Sequence, residues 1–255
     1  MPDRGFITCE QVTRDFRTAG GLSVPALAAV NLSVEEDEFV CLLGPSGCGK
    51  TTLLNLVAGF IPPTTGEIRI DRRPVGKPGP DRGVVFQDYS LFNWLTVRGN
   101  VEFGPRMARE PASARRELAE HYLALVGLTK FADKYPFELS GGMKQRVAIA
   151  RSLVTKPKVL LMDEPFAALD AMTRNSLQSE VLEIQRAEKK TVIFVTHNIG
   201  EAIFLADRIV VMSPHPGRIQ EVIDVDLPRP RTRTNAKFNE LYEHLESAIG
   251  THTVE

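Results

Sequence analysis

The residues Gly44, Pro45, Ser46, Gly47, Cys48, Gly49, Lys50, Thr51 and Thr52 fit the spacing G-x-x-x-x-G-K-[ST] of a phosphate-binding loop. Glycines let the backbone turn tightly, so that successive N–H groups point into one concavity. A helix starting at the loop adds the positive end of its dipole. The ammonium of Lys50 would reach the β- and γ-phosphates, and the Thr51 hydroxyl would ligate Mg²⁺. Cys48 occupies a position that needs mainly a small residue with a free N–H. A second group is Val159-Leu160-Leu161-Met162-Asp163-Glu164, an apolar strand ending in two carboxylates. Adjacent residues at a strand tip point to different sides. Asp163 can therefore support the metal while Glu164 polarises an attacking water. A third is Leu139-Ser140-Gly141-Gly142, where Ser140 is a good N-cap and the glycines expose amides at a positive helix end. His197 follows an apolar run, and Gln87 ends another; strand carboxyl ends are where α/β sheets bind ligands.

The elements that must position these groups alternate between strand and helix. Residues 6–12 and 27–43 read as short strands, residues 51–58 as a helix, and Pro62-Pro63 as a break. Residues 67–70 and 84–86 continue the strands, the latter ending at Gln87. Residues 88–155 are helix-rich, with Leu118, Tyr122 and Leu125 expected on one face of a helix over 113–126. Residues 159–162 and 191–196 are continuous apolar runs of the kind found in buried parallel strands. Between them a helix over 171–188 has Leu177, Val181 and Ile184 in register; a helix over 199–206 and a strand over 209–212 follow. The fold class implied is α/β, a mostly parallel sheet covered on both faces, with N-terminal β-strands and an inserted α-helical subdomain. Its expected division is a core of residues 1–87 and 156–225, an insertion at 88–155, and a C-terminal segment at 226–255. That segment is rich in Pro and Arg and ends in a helix striped by Phe238, Leu241, Tyr242, Leu245 and Ile249, read as docked on the core.

Composition excludes several classes. With 255 residues, 43% of them hydrophobic and 25% charged, the chain is an ordinary globular one. A formal net charge of −1 does not point to nucleic acid as a partner. Cys9, Cys41 and Cys48 have no metal-binding spacing, and an odd count is no disulfide framework, which suits a reducing compartment. The sequence is expected to lack both a signal peptide and a membrane span, so any span would come from a partner.

Phosphate loop, strand-end Gln, LSGG, strand with Asp-Glu, strand-end His: this order resembles the nucleotide-binding subunits of ATP-binding cassette (ABC) transporters over nearly the whole chain. The resemblance implies a P-loop NTPase core. It makes Gly44–Thr52 the Walker A loop, Gln87 the Q-loop residue and Leu139–Met143 the signature. Val159–Asp163 becomes Walker B, Glu164 the catalytic carboxylate, Ala168-Leu169-Asp170 the D-loop and His197 the switch histidine. It also implies that Phe16 stacks on adenine, that ATP and Mg²⁺ are bound, and that Thr51, Gln87 and Asp163 hold the metal. Two copies would pair head to tail, with Ser140, Gly141 and Gly142 of one completing the ATP site of the other. Closure would reach membrane permeases near Tyr89–Val97, with a periplasmic or extracellular solute-binding protein acting indirectly. The implied location is peripheral, on the cytoplasmic face of the inner membrane.

Three positions depart from the family pattern: Met143 where Gln is usual, Asp37 where a turn Gly is common, and Arg72 in place of a hairpin Gly. The stretches Phe86–Phe92, Trp94–Thr96 and Met212–Ile219 look like the nitrate/sulfonate/taurine importer subgroup, whose relatives also carry bicarbonate or pyrimidine-like precursors. A soluble ABC-type ATPase not coupled to transport is the alternative; coiled-coil arms, zinc modules or a basic face would mark one acting on DNA or ribosomes. A kinase or GTPase reading lacks a guanine-reading N-K-x-D and leaves LSGG unexplained.

Overall fold

The computed structural model describes residues 5–214 and 216–250; His215, inside the Met212–Ile219 stretch, lies outside the described residues. In chain order the elements are β1 (Ile7–Arg17), β2 (Ser23–Val34), β3 (Phe39–Leu43), α1 (Lys50–Ala58), β4 (Thr65–Ile70), β5 (Arg73–Pro74) and β6 (Arg82–Val85). Then come α2 (Val97–Met107), α3 (Ala112–Leu125), α4 (Gly141–Leu153), β7 (Val159–Asp163), α5 (Ala171–Glu188) and β8 (Thr191–Thr196). The chain closes with α6 (Ile199–Leu205), β9 (Arg208–Ser213), β10 (Arg218–Asp224) and α7 (Ala236–Gly250). No described helix is long and apolar enough to cross a membrane.

Two compact units form: Met1–Gly79 with Thr191–Glu255, and Pro80–Lys190. The first contains an antiparallel sheet in the order β2-β1-β4-β5 and a run of strands β10-β9-β3-β8. Strand β3 is parallel to both of its neighbours, with Leu43 level with Thr196 on β8 and with Val211 on β9. All of β3 and β8 is buried, which is why both are continuous apolar runs rather than alternating ones. The second unit holds the parallel pair β6 and β7, with Val85 level with Met162, together with α2 to α5.

The observed elements differ from the sequence reading in four places. Strand β1 runs to Arg17 and β2 starts at Ser23, a longer hairpin than residues 6–12 and 27–34 imply. Register shifts between Cys9 and Val12 and between Val12 and Arg14 break the two-residue alternation that marks a strand. Strand β6 stops at Val85; the Tyr89 N–H turns back to the Phe86 carbonyl (3.3 Å), so Gln87 sits in a turn beyond the strand. Along α3 and its C-cap the buried stripe is Ala119, Tyr122, Leu123 and Val126, spaced i, i+3, i+4, i+7, while Leu125 is exposed. The C-terminal helix α7 packs on α6 and β9 through Phe238 and Leu245; Tyr242 of the expected stripe is exposed.

Two local conformations bear directly on sequence. Asp71 and Arg72 both have positive φ (49° and 64°) between paired Ile70 and Arg73, the backbone of a tight hairpin turn that suits Asn-Gly or Asp-Gly. Asp37 is also left-handed (φ 61°), and its N–H donates to Thr191 Oγ1 at 2.9 Å. Between β9 and β10 the chain returns against β2: Gly217 donates to the Ala26 carbonyl (3.0 Å) and accepts from the Ala28 N–H (2.9 Å). A Cβ at Gly217 would stand 2.2 Å from the Cys48 carbonyl oxygen, inside the phosphate loop.

Replacing Arg72 by Gly removes the left-handed penalty of a residue that carries a Cβ, and the expected result is a gain of about 1 kcal/mol in denaturant unfolding, since that penalty is roughly 1–2 kcal/mol per residue. An unchanged or lowered midpoint would show that the Arg72 turn is not strained. Gly217→Ala forces backbone against backbone; a loss of about 1–3 kcal/mol in stability is expected, the range for overpacking. The same variant should bind nucleotide about tenfold less tightly, equivalent to ~1.4 kcal/mol at the loop. Unaltered binding to a fluorescent nucleotide would mean that the loop does not lean on Gly217.

Candidate functional site

In the first unit, Gly44 and His197 leave the same edge of the sheet, because Leu43 and Thr196 are level on parallel strands. Helix α1 has Gly49 as its N-cap, in left-handed geometry (φ 90°, ψ 6°), and no side chain caps it. A helix start of this kind, without a side-chain cap, suits an anion. A Cβ on Gly49 would lie 2.5 Å from Leu27 Cδ2, so both backbone angle and space require glycine there.

Lys50 is buried, and its ammonium donates to the carbonyls of Gly44 (2.7 Å) and Pro45 (2.9 Å). Cys48 Sγ is 3.8 Å away. Burial pushes the Cys48 thiol pKa up and the neighbouring Lys50 charge pulls it down, with burial the larger effect. The Cys48 N–H, expected to be free, turns toward the Pro45 carbonyl at 3.4 Å, a long contact that a stronger acceptor can replace. Ser46, Gly47 and Thr51 are exposed, and Pro45 and Thr52 are half-buried, so the loop presents its outer rim to solvent.

His197 is exposed, in a turn held from below. Thr196 Oγ1 donates to Glu201 Oε2 (2.7 Å) and accepts from the Asn198 N–H (3.0 Å); Asn198 Oδ1 caps α6 through the Glu201 N–H (3.0 Å). Phe16 stands on the antiparallel sheet, opposite Val24, and is 40% exposed, with the Arg14 guanidinium 4.7 Å from its ring centre. The guanidinium thus covers part of one ring face in a cation–π contact.

In the second unit, Asp163 is the last residue of β7 and Glu164 follows in a left-handed conformation (φ 43°). A non-glycine residue held there costs of order 1–3 kcal/mol and marks a place where the fold imposes a side-chain direction. Gln87 leaves the adjacent strand β6 at the same end. Ser140 caps α4, its hydroxyl accepting from the Met143 N–H at 3.4 Å, and this contact uses the backbone of Met143 rather than its side chain. The amides of Gly141 and Gly142 form the first turn of α4. Asp170 caps α5 by accepting from the N–H groups of Met172 (3.1 Å) and Thr173 (3.0 Å), and these backbone donors hold its carboxyl below its ordinary pKa.

Two residues that the sequence reading passed over shape this second set. Arg151, far along α4, donates to the carbonyls of Ser90 (2.5 Å) and Tyr89 (3.0 Å) and lies 5.4 Å from the Phe92 ring centre. It holds a stretch in which Tyr89 and Ser90 both have positive φ (62° and 47°). Fully buried Asn100 accepts from the Phe92 N–H and donates to the carbonyls of Phe92, Leu95 and Thr96. These bonds stitch the loop that leaves Trp94 74% exposed while Val97 is buried. Neither contact has a local sequence signal; Gly217, in the Pro-Gly dipeptide after His215, had at least a turn signature.

The donors assigned to Mg²⁺ are oxygen groups: the Thr51 hydroxyl, the Gln87 amide and the Asp163 carboxylate. Each by itself is an oxygen donor of the type a hard cation takes alongside phosphate oxygens and water. No cluster of three or more His, Cys, Asp or Glu that could hold a metal ion occurs among the described residues.

The ABC transporter family model matches residues 27–167. An uncharacterised ABC transporter ATP-binding protein of Methanocaldococcus jannaschii is 53% identical over 231 residues, 91% of this chain and 86% of the relative. A nitrate import ATP-binding protein of Synechococcus elongatus is 48% identical, covering 95% and 89%, and a taurine import ATP-binding protein of Jannaschia sp. is 46% identical, covering 95% and 93%. Among solved structures, a dimeric ATP-binding cassette in a post-hydrolysis state with ADP and phosphate superposes with a TM-score of 0.76 at 33% identity, covering 87% of this chain and 100% of that one. With its uncapped glycine-turned helix, buried loop lysine and Ser-capped second helix, the chain belongs to the ABC transporter family, as one of its transport-coupled ATPases.

Proposed function

We propose that this chain is the ATP-hydrolysing subunit of an ABC importer for a small anionic solute such as nitrate, a sulfonate or taurine. It works as a homodimer on integral-membrane permease subunits, peripheral to the cytoplasmic face of the inner membrane. A periplasmic or extracellular solute-binding protein feeds the permease. The observation that carries the reading is the presence in one chain of two glycine-containing helix starts, Gly49–Lys50 without a side-chain cap and Ser140–Gly142 capped by Ser140. Support for import comes from the nitrate and taurine import proteins among its relatives, and for pairing from the dimeric cassette. Residues 88–155 act as the signature-bearing subdomain between core segments 1–87 and 156–225, and exposed Trp94 on its Asn100-stapled loop is offered to the permease.

In this reading Lys50 exchanges the Gly44 and Pro45 carbonyls for the β- and γ-phosphates, while the amides of Gly44 to Gly49 surround them. Phe16 stacks on the adenine. Thr51, Gln87 and Asp163 would hold Mg²⁺, whose charge neutralises that developing on the phosphates. Glu164 takes the proton of the attacking water as its oxygen bonds to the γ-phosphorus and the bond to the β–γ bridging oxygen breaks. His197 contacts the γ-phosphate. Ser140, Gly141 and Gly142 complete the site of the other copy, so the triphosphate holds the dimer closed and hydrolysis releases it.

Glu164→Gln should bind ATP yet turn over at least ~100-fold more slowly, the scale for removing a positioned general base. It should also accumulate as an ATP-bound dimer on a sizing column; near-native turnover would reject the role of Glu164. Cross-chain sharing makes a separate prediction. Ser140→Arg and Lys50→Ala chains, each inactive alone, should regain activity when mixed, since one composite site in the mixed dimer is intact. Silence in confirmed mixed dimers would refute a shared site.

A further inference from the structure

The Pro/Arg-rich stretch Leu227-Pro228-Arg229-Pro230-Arg231-Thr232-Arg233 has no part in the chemistry so far described, yet its arginines converge on one short helix. Arg231 is 7% exposed. Its guanidinium donates to the carbonyls of Ile203 (2.7 Å) and Ala206, with Phe204 at 3.5 Å, all at the C-terminal end of α6. Its other nitrogens donate to the carbonyls of Val225 (3.0 Å) and Leu227 (3.1 Å), anchoring it to its own segment. Arg229 donates to the Leu205 carbonyl and pairs with Asp207 (3.0 Å), and Arg233 lies 5.8 Å from the centre of the Phe204 ring.

These contacts are what α6 needs. It has only 7 residues, too few to stand alone in water. Its last carbonyls lack intrahelical partners and carry the negative end of the dipole. A planar guanidinium with several fixed donors satisfies them together, whereas an ammonium cannot span the same fan. At its other end α6 is joined rigidly to the His197 turn through Thr196, Asn198 and Glu201, the last with its carboxyl side chain buried. A shift of α6 along its axis therefore moves the turn on which His197 sits. Helix α7, continuing from the arginine segment, packs on the same helix.

We propose that residues 227–233 form a strap that positions His197, with Arg231 as the positioning residue: it fixes α6 by its C-terminal carbonyls, and α6 fixes the histidine turn. This rests on the reading of His197 as the γ-phosphate contact. It assigns the strap a role in the turnover step rather than in nucleotide binding, because the phosphate loop is held by β2, β3 and Gly217 instead.

The test uses the full chain and compares steady-state ATP hydrolysis by Arg231→Met, Arg231→Lys, Arg233→Ala and His197→Ala with the native protein. Histidine ring NMR spectra are recorded alongside. Arg231→Met should lower kcat about 10–100-fold, the range for displacing a reacting group by a fraction of an ångström to one ångström. KM for ATP should stay within about twofold, as expected when only a transition-state interaction is lost. Arg231→Lys should recover part of kcat, and the His197 resonance should move in both variants while that of His121 stays in place. Arg233→Ala removes only a ring contact and keeps the test open should Arg231→Met fail to fold; it should lower kcat about threefold, the worth of an exposed cation–π contact of roughly 0.5–1 kcal/mol. Native kcat in folded Arg231→Met, or in Arg233→Ala where the former does not fold, with an unmoved His197 resonance, would overturn the strap while an inactive His197→Ala leaves the histidine's role intact. Native turnover by His197→Ala would instead remove the histidine reading on which the strap depends.

Discussion

A cation buried beneath the loop that it serves is the constraint from which the rest of this structure follows. The Lys50 ammonium is removed from water and held by the carbonyls of Gly44 and Pro45. A buried charge is tolerable only when it is well hydrogen-bonded, so the loop must curl until its carbonyls face the lysine from one side. The same curl brings the Cys48 N–H to the Pro45 carbonyl at 3.4 Å. The tight path leaves no room for side chains: Gly49 is packed against Leu27, and Gly217 against the Cys48 carbonyl. Strands β2 and β3 and the β9–β10 connection thus pack directly against the loop.

The second unit solves a different problem, how to aim polar groups from short elements. Glu164 is aimed by a left-handed backbone at the end of β7, Ser140 and Asp170 by their places as helix caps, and Gln87 by a turn that ends β6 early. The segment after Gln87 is fastened twice, by Arg151 on its backbone carbonyls and by Asn100 on the loop that follows. Burial pulls the Arg151 pKa down against the opposing charge of Asp88, and the guanidinium is kept there by carbonyls and an aromatic face. Fastening of this kind leaves the loop little freedom to move apart from α2 and α4, on which Asn100 and Arg151 sit.

The reach of sequence reasoning can be traced residue by residue. The phosphate loop was legible because its chemistry is local: glycine spacing, one lysine and one hydroxyl lie within a single turn of chain. Buried strands β3, β7 and β8 were legible as apolar runs, and Leu177, Val181 and Ile184 as a helical stripe. The true length of β1 was hidden by bulges, which interrupt alternation without ending the strand. The α3 stripe was displaced because Ala119, small and weakly hydrophobic on any scale, is in the core while the larger Leu125 is exposed. The turns at Asp37 and Arg72 kept their left-handed geometry without glycine, as the departures from the family pattern required.

What sequence alone determined is the family and the order of its motifs along the chain: a glycine-rich loop of phosphate-binding spacing, a strand ending in two carboxylates, a Ser-capped second helix and an α/β scaffold. Each of these is encoded in neighbouring residues, where backbone geometry links position to direction. Tertiary structure alone decided which groups hold them in place. The carbonyls bound by Arg231 at the end of α6 lie 25 and 28 residues away, and those bound by Arg151 lie 61 and 62 away. A main-chain carbonyl has no residue type, so no pattern in the sequence can announce it as a partner; only the folded path of the chain brings donor and acceptor together.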